Sequence, residues 1–201
     1  MQRILVERGL GLDLDNTIVD YGDAFAHAAV KFGVVEPAGG KTALRDALRA
    51  QPGGEQRWRE IQAYAYGPGM GRARAFPGVE AFFLRARRCG VPLRVISHKT
   101  PAAAARSDID LRAAARAWLA RQPFAQGVPV AFAATREEKL AEIAAAGVAL
   151  FVDDLLEVLG DPLFPRTVER WLFAPDGATA GEDAERVFRS WDEMADAAFG
   201  D

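Results

Sequence analysis

The stretch LGLDLDNTIVDY, residues 10–21, carries a short apolar, β-forming run straight into Asp13 and Asp15, one residue apart. Two carboxylates side by side repel, and each raises the other's pKa unless a cation lies between them. Two readings fit. The pair lies in water on a turn, with Asp15 or Asn16 capping the next helix, or it shares a metal and carries chemistry. The rest of the chain bears on the choice.

Apolar runs recur at residues 91–96 (VPLRVI), 128–132 (VPVAF), 148–152 (VALFV) and 171–174 (WLFA), after the first at 10–14. Helical spacing fills the gaps. Residues 79–88 form an amphipathic pattern ending at Gly90, and Leu111, Ala115, Trp118 and Leu119 mark an apolar stripe. Residues 137–146 form a further helix stopped by Gly147, and 182–199 read as a closing helix. Strand and helix in alternation predict an α/β fold: a Rossmann-like, doubly wound parallel sheet with helices on both faces.

The first two strands break that rhythm. About 75 residues separate them, far more than one crossover of a dozen or so residues needs. Helical patterns at 20–32, 41–50 and 56–66, with Pro and Gly between, predict a small helical insertion over residues 20–76 within a core of 1–19 and 77–201. The run Gly67-Pro68-Gly69-Met70-Gly71 reads as a hinge, which suits a lid.

Composition narrows the classes. The chain has 201 residues, half of them hydrophobic, enough for one sizeable core. Its net charge of −3, with no Lys/Arg run, argues against a nucleic-acid partner. A single cysteine, Cys89, rules out an internal disulfide and a cysteine-built zinc site. Arg3, Glu7 and Arg8 interrupt the N-terminal apolar residues, so a signal peptide or membrane span is not expected there, and a cytoplasmic location is the default.

Ligands of an open parallel sheet bind beyond the carboxyl ends of its strands. The strand ends here carry Asp13 and Asp15, then Ser97, then Asp153 and Asp154, with Lys139 near the start of the helix after the third strand. Alone, each has an ordinary explanation: a cap for the acids, a satisfied turn hydroxyl for Ser97, a solvated helix lysine for Lys139. Together, at successive strand ends, they make a candidate site.

That ordered set resembles the haloacid dehalogenase-like (HAD) hydrolase superfamily, over roughly residues 10–160. Leu12-Asp13-Leu14-Asp15-Asn16-Thr17 matches its first motif, Ser97 in VIS its second, Lys139 its third, and Asp153-Asp154 in FVDD its fourth. The resemblance implies a hydrolase, a phosphatase working through an aspartyl-phosphate on Asp13. Magnesium would be held by the Asp13 side chain, the Asp15 carbonyl and Asp153 or Asp154. Asp15 would pass the proton to and from the reacting oxygen, and Ser97 and Lys139 would bind the phosphoryl group. Dehalogenases of the family lack the second aspartate, so Asp15 points to phosphomonoesters of a small metabolite. A phosphotransferase or phosphomutase, and a non-catalytic binding domain of the same fold, stay open as alternatives.

Other residues are ambiguous in sequence. His98 and Lys99 adjoin Ser97 and fit either a substrate contact or a turn, and His27 fits a packed side chain. Gly39-Gly40-Lys41-Thr42 lacks the earlier glycine of a phosphate-binding loop and follows no strand, so it reads as a loop into a helix. The resemblance makes residues 20–76 a cap. Its Trp58, Tyr64 and Tyr66 fit a small core, and Arg57, Arg59, Arg72 and Arg74 fit a wet face, although arginines at a site mouth would also suit an anionic substrate. Oligomeric state is not legible.

Overall fold

A computed structural model describes residues 2–34, 40–177 and 183–200. The chain divides into two compact units: Met1–Val19, Ala75–Lys99 and Pro123–Asp201 form one, Asp20–Arg74 and Thr100–Gln122 the other.

The first unit holds six strands, each paired in parallel with its neighbours. The first helix, α1 (Gln2–Arg8), leads through Gly9 into β1 (Leu10–Leu12). After β2 (Val19–Asp20), helices α2 (Gly22–Lys31), α3 (Gly40–Arg49) and α4 (Gly54–Tyr66) follow, then β3 (Arg74–Ala75), which pairs with β2. Next come α5 (Val79–Arg88), β4 (Leu93–His98), β5 (Ala102–Ala103), β6 (Arg106–Asp110) and α6 (Leu111–Ala120). The chain closes with β7 (Val130–Ala133), α7 (Arg136–Ala146), β8 (Leu150–Asp153), α8 (Leu156–Leu159), β9 (Glu169–Phe173), β10 (Arg186–Phe188) and α9 (Trp191–Phe199). The main sheet runs β10-β9-β8-β1-β4-β7. From the central β1 the chain builds outward through β4 and β7, then returns to β8 on the other side. The strand order therefore reverses at β1, where such sheets bind ligands.

Two cores sandwich this sheet. One joins Ile96, Phe151 and Leu172 to Leu140 and Ile143 of α7 and to Val158 and Leu159 of α8. The other is aromatic: Phe82 meets Trp191 edge-on at 4.9 Å and Phe199 at 5.0 Å, while Phe76 meets Phe173 at 5.0 Å. Arg8 ties α1 down by donating to the carbonyls of Gly147, Val148 and Thr167 at 3.0, 2.7 and 3.1 Å.

In the second unit, Trp58 stacks on Phe25 at 5.4 Å, and Tyr66 meets Phe25 and Tyr21 edge-on at 5.5 and 4.6 Å. Tyr21, Phe25 and Trp58 are buried there with Leu44, Leu48 and Ile61, and Tyr66 lies half-buried against them. The unit's arginines face water or pair locally, Arg59 with Glu55 and Arg74 with Asp23. Lys41, from the loop-like GKT, donates to Tyr66 Oη at 2.7 Å; Gly39 lies outside the described residues.

Three expectations need correction. Residues 182–199 are not one helix: 186–188 add the edge strand β10, and α9 starts only after the Ser190 cap, whose Oγ accepts from Glu193 N. Residues 100–122, expected in the core, belong to the second unit, because buried Trp118 donates Nε1–H to the Ala73 carbonyl at 2.9 Å and the Ile109 side chain covers Gly67. The glycine-rich run is not an open hinge: Pro68–Arg72 is a 3-10 turn with Met70 buried, and a Cβ on Gly67 would lie 2.7 Å from the Ala63 carbonyl oxygen. Among the described residues, no helix is long and apolar enough to cross a membrane.

Gly11 sits opposite Phe151 in the β1–β8 register, and a Cβ there would fall 2.4 Å from the Phe151 ring. Gly11→Ala should therefore cost about 1–3 kcal/mol through overpacking. A urea midpoint that falls at unchanged slope would show it.

Candidate active site

Register sets the site before any side chain is placed. Leu12 pairs with Val152 on one side and Val95 on the other, so Asp13 stands level with Asp153 and one residue short of Ser97. Asp13 continues the ladder, donating its N–H to the Val152 carbonyl at 2.9 Å. Three adjacent strands thus deliver two carboxylates and a hydroxyl to one end of the sheet. All three side chains are buried.

Lys139 is carried in by α7. Thr135 caps that helix, its Oγ1 accepting from Glu138 N at 3.1 Å, while Glu138 Oε2 accepts from Ala134 N at 2.6 Å. The lysine is 1 % exposed. Its Nζ donates to Asp13 Oδ1 at 2.7 Å and to Asp153 Oδ2 at 2.6 Å, and it stands 5.6 Å over the Phe151 ring. The second oxygen of Asp153 accepts from Leu155 N at 3.0 Å.

The loop after β1 holds the remaining acid. Asn16 takes a left-handed backbone with φ +60°, the one non-glycine residue with positive φ among those described, and asparagine tolerates it. That turn brings Asp15 beside Val19 in an isolated bridge. Buried Thr17 donates Oγ1–H to Asp154 Oδ1 at 3.5 Å, and its carbonyl accepts from Trp191 Nε1 at 3.1 Å. Asp15 turns its carboxylate to Lys99, whose Nζ donates to Oδ2 at 2.6 Å. Lys99 is 3 % exposed. Sequence reading left it between a turn and a substrate contact; a lysine at a strand end gives no sign of which way its chain folds. His98 is exposed and hydrogen-bonded through Nε2 to the Ala134 carbonyl at 3.0 Å.

Carboxylate oxygens of Asp13, Asp153 and Asp154 lie within 4.8 Å of one another. Two oxygens across a hard divalent cation stand about 4–5 Å apart, and such cations choose oxygen ligands, so the donor set fits one. Asp15 is brought to the same cleft, but its side chain is not part of this trio. Burial pushes the Asp13 pKa up, Lys139 opposes the shift, and Asp153 and Asp15 add to it, leaving Asp13 raised to about 7. Burial alone would lower the Lys139 pKa; attraction to Asp13 and Asp153 overrides it and lifts the ammonium above its ordinary value. Four acids against two lysines leave excess negative charge that a divalent cation would balance.

Asp13, Asp15, Ser97, Lys139 and Asp154 line a cleft of about 660 Å³, together with Asn16, His98 and Arg136. One lining atom has no protein partner: Ser97 Oγ is the one buried side-chain nitrogen or oxygen without a hydrogen bond among the described residues.

No protein-family model matches the sequence, and no curated protein sequence does. Solved structures do match the fold. A haloacid dehalogenase-like family protein, SP0104 from Streptococcus pneumoniae, is 14 % identical, with a TM-score of 0.61 over 92 % of this chain and 95 % of its own. A HAD family hydrolase from Deinococcus radiodurans, solved with phosphate and sodium, is 13 % identical, with a TM-score of 0.60 over 94 % of each chain. Protein tyrosine kinase A from Mycobacterium tuberculosis is 20 % identical, with a TM-score of 0.63 over 95 % of this chain and 98 % of its own. Dehalogenase structures share the architecture too. The chain has the fold of the haloacid dehalogenase-like hydrolases.

A protonated carboxyl is a far weaker ligand than a carboxylate, so a divalent cation held through Asp13 would displace its proton. Magnesium affinity should rise up to tenfold per pH step below about 7 and level off above it. The check is calorimetric titration with magnesium at pH 6, 7 and 8, in two buffers of different ionisation enthalpy.

Proposed function

We propose that this chain is a divalent-metal-dependent phosphomonoester hydrolase, acting on a small phosphorylated metabolite through a phosphorylated Asp13. The observation that carries the reading is Ser97 Oγ, a buried hydroxyl without a partner at the strand end next to the Asp13–Lys139 pair. An unsatisfied buried hydroxyl costs about 1–3 kcal/mol. A phosphoryl oxygen is an acceptor of the right kind to relieve it.

In this reading Lys139 holds Asp13 Oδ1, and the other carboxylate oxygen attacks phosphorus. The bond from phosphorus to the ester oxygen breaks, and that oxygen takes a proton from Asp15. Water then attacks the phosphorylated Asp13 and gives its proton to Asp15, and inorganic phosphate leaves with Asp13 restored. Ser97 donates to a phosphoryl oxygen throughout, and Lys139 adds positive charge where negative charge gathers. Asp13, Asp154 and the Asp15 carbonyl would hold magnesium, which supplies further charge neutralisation. Asp153 is read as orienting Lys139, since its two oxygens accept from Lys139 and Leu155 N.

Two features favour phosphate esters over the halides of the dehalogenases. Halide leaves without a proton, so such an enzyme has no need of Asp15. The cleft also presents a hydroxyl donor suited to an oxyanion. The bound phosphate of the Deinococcus radiodurans hydrolase is in keeping with this.

Asp13→Asn should lower turnover of p-nitrophenyl phosphate with magnesium by at least ~10³-fold, with an unchanged circular dichroism spectrum, because an amide is a poor nucleophile. Retained turnover overturns the mechanism. Phosphate released in step with substrate loss separates hydrolysis from transfer. Ser97→Ala should separate function from stability: kcat/KM falls about 10–100-fold while stability holds or rises by up to ~1 kcal/mol, since the variant removes an unsatisfied group. Thermal melts beside the kinetics read both.

A further inference from the structure

Lys99 is a buried lysine that the reading above does not use. The sheet fixes its root, its N–H donating to the Ala133 carbonyl at 2.8 Å just after β4 ends. Its ammonium meets Asp15 Oδ2 at 2.6 Å, with the lysine side chain 2 % exposed and that of Asp15 20 % exposed. Taking an ammonium out of water is unfavourable unless an anion faces it. A lysine needed only for solubility or for the sheet would turn to solvent. Among the described residues lining the cleft, Asp15 is present and Lys99 is not. The lysine therefore reaches the acid from the protein side, while the acid faces the cleft.

Both ends of this contact are held. On the acid's side, the left-handed Asn16 and the Asp15–Val19 bridge fix the backbone. A carboxylate fixed at Cα still turns about two side-chain bonds, and proton transfer needs it within hydrogen-bond reach of the reacting oxygen. The Lys99 contact removes that freedom by holding one oxygen.

We propose that Lys99 is a positioning residue: it holds Asp15 Oδ2 so that Oδ1 faces the ester oxygen, to which Asp15 gives its proton as the phosphorus–oxygen bond breaks. The assignment rests on the hydrolase reading. It adds no new reactant, since the proton Asp15 gives up in the first half-reaction returns from water in the second.

The experiment compares two esters at saturating magnesium. Phenyl phosphate needs a proton on its leaving oxygen, whereas 2,4-dinitrophenyl phosphate releases a stable anion. Lys99→Met should lower kcat/KM on phenyl phosphate by about 10–100-fold and on the dinitrophenyl ester by less than about threefold, as expected for loss of a proton donor's orientation. Lys99→Arg, which keeps charge and donors, should recover most of the loss. In an Asp15→Asn background, Lys99→Met should add nothing on phenyl phosphate, because the two residues act as one unit. Equal losses on the two esters, or losses that add to those of Asp15→Asn, overturn the positioning role. If Lys99→Met does not fold, Lys99→Gln is read by the same selectivity. A wild-type protein that hydrolyses neither ester brings down the hydrolase reading, and this assignment with it. An active wild type with unselective losses brings down this assignment alone.

Discussion

The Lys139 ammonium, bridging Asp13 and Asp153 at 2.7 and 2.6 Å, is the interaction on which the site depends. Strands β1 and β8 are neighbours in register, so their terminal acids are forced side by side in a buried place. Without a cation between them their repulsion would oppose the very pairing that aligns them. A buried charge that loses its partner costs about 3–5 kcal/mol, more than most single contacts contribute. The lysine can serve because its helix start is itself fixed, through the Thr135 cap and the Glu138 contact to Ala134 N. Sheet register, helix capping and charge balance therefore meet in one side chain.

Core packing reaches the same point through Phe151. Its ring lies over Gly11 on the neighbouring strand, where any Cβ would collide, and also beneath the Lys139 ammonium. A glycine in mid-strand is a weak strand former. Here it gives the ring its place, and the ring gives the lysine an apolar wall with a favourable π face. The same wall keeps water from one side of the ion pair, which strengthens it and raises the cost of leaving Asp13 charged. Burial, joined by repulsion from Asp153 and Asp15, outweighs the attraction of Lys139 and leaves Asp13 raised to about 7.

Much of this was legible in the sequence because the fold converts strand order into proximity. Asp13, Ser97 and Asp153 each end an apolar run, and a parallel sheet sends such ends to one edge; Lys139 follows from its place near a helix start. Lys99 was not legible, since its role depends on where a flexible chain turns after Ser97. The grouping of residues 100–122 was hidden for a related reason: the apolar stripe of α6 looks the same whichever unit it packs on. What settles it is a hydrogen bond from Trp118 to Ala73, 45 residues away in sequence. β10 was missed because Arg186, Val187 and Phe188 make a three-residue edge strand, too short for any period to show.

The far end of the chain completes the site without contributing a reacting group. Trp191, the first residue of α9, is fully buried, wedged between Phe82 and Phe173, and sits so close to Gly78 that a Cβ there would lie 2.8 Å from its own. Its indole N–H reaches the Thr17 carbonyl at 3.1 Å, inside the loop that carries Asp15. The Thr17 hydroxyl reaches Asp154 in turn. The loop after β1 is therefore held from below by an aromatic core that the C-terminal helix closes. An acid that lines a cleft keeps its place only if the backbone beneath it is held. One such hold on this loop is the hydrogen bond from Trp191, 174 positions away in sequence. The aromatic layer beneath the sheet is thus as much a part of the site's geometry as the acids that face the cleft.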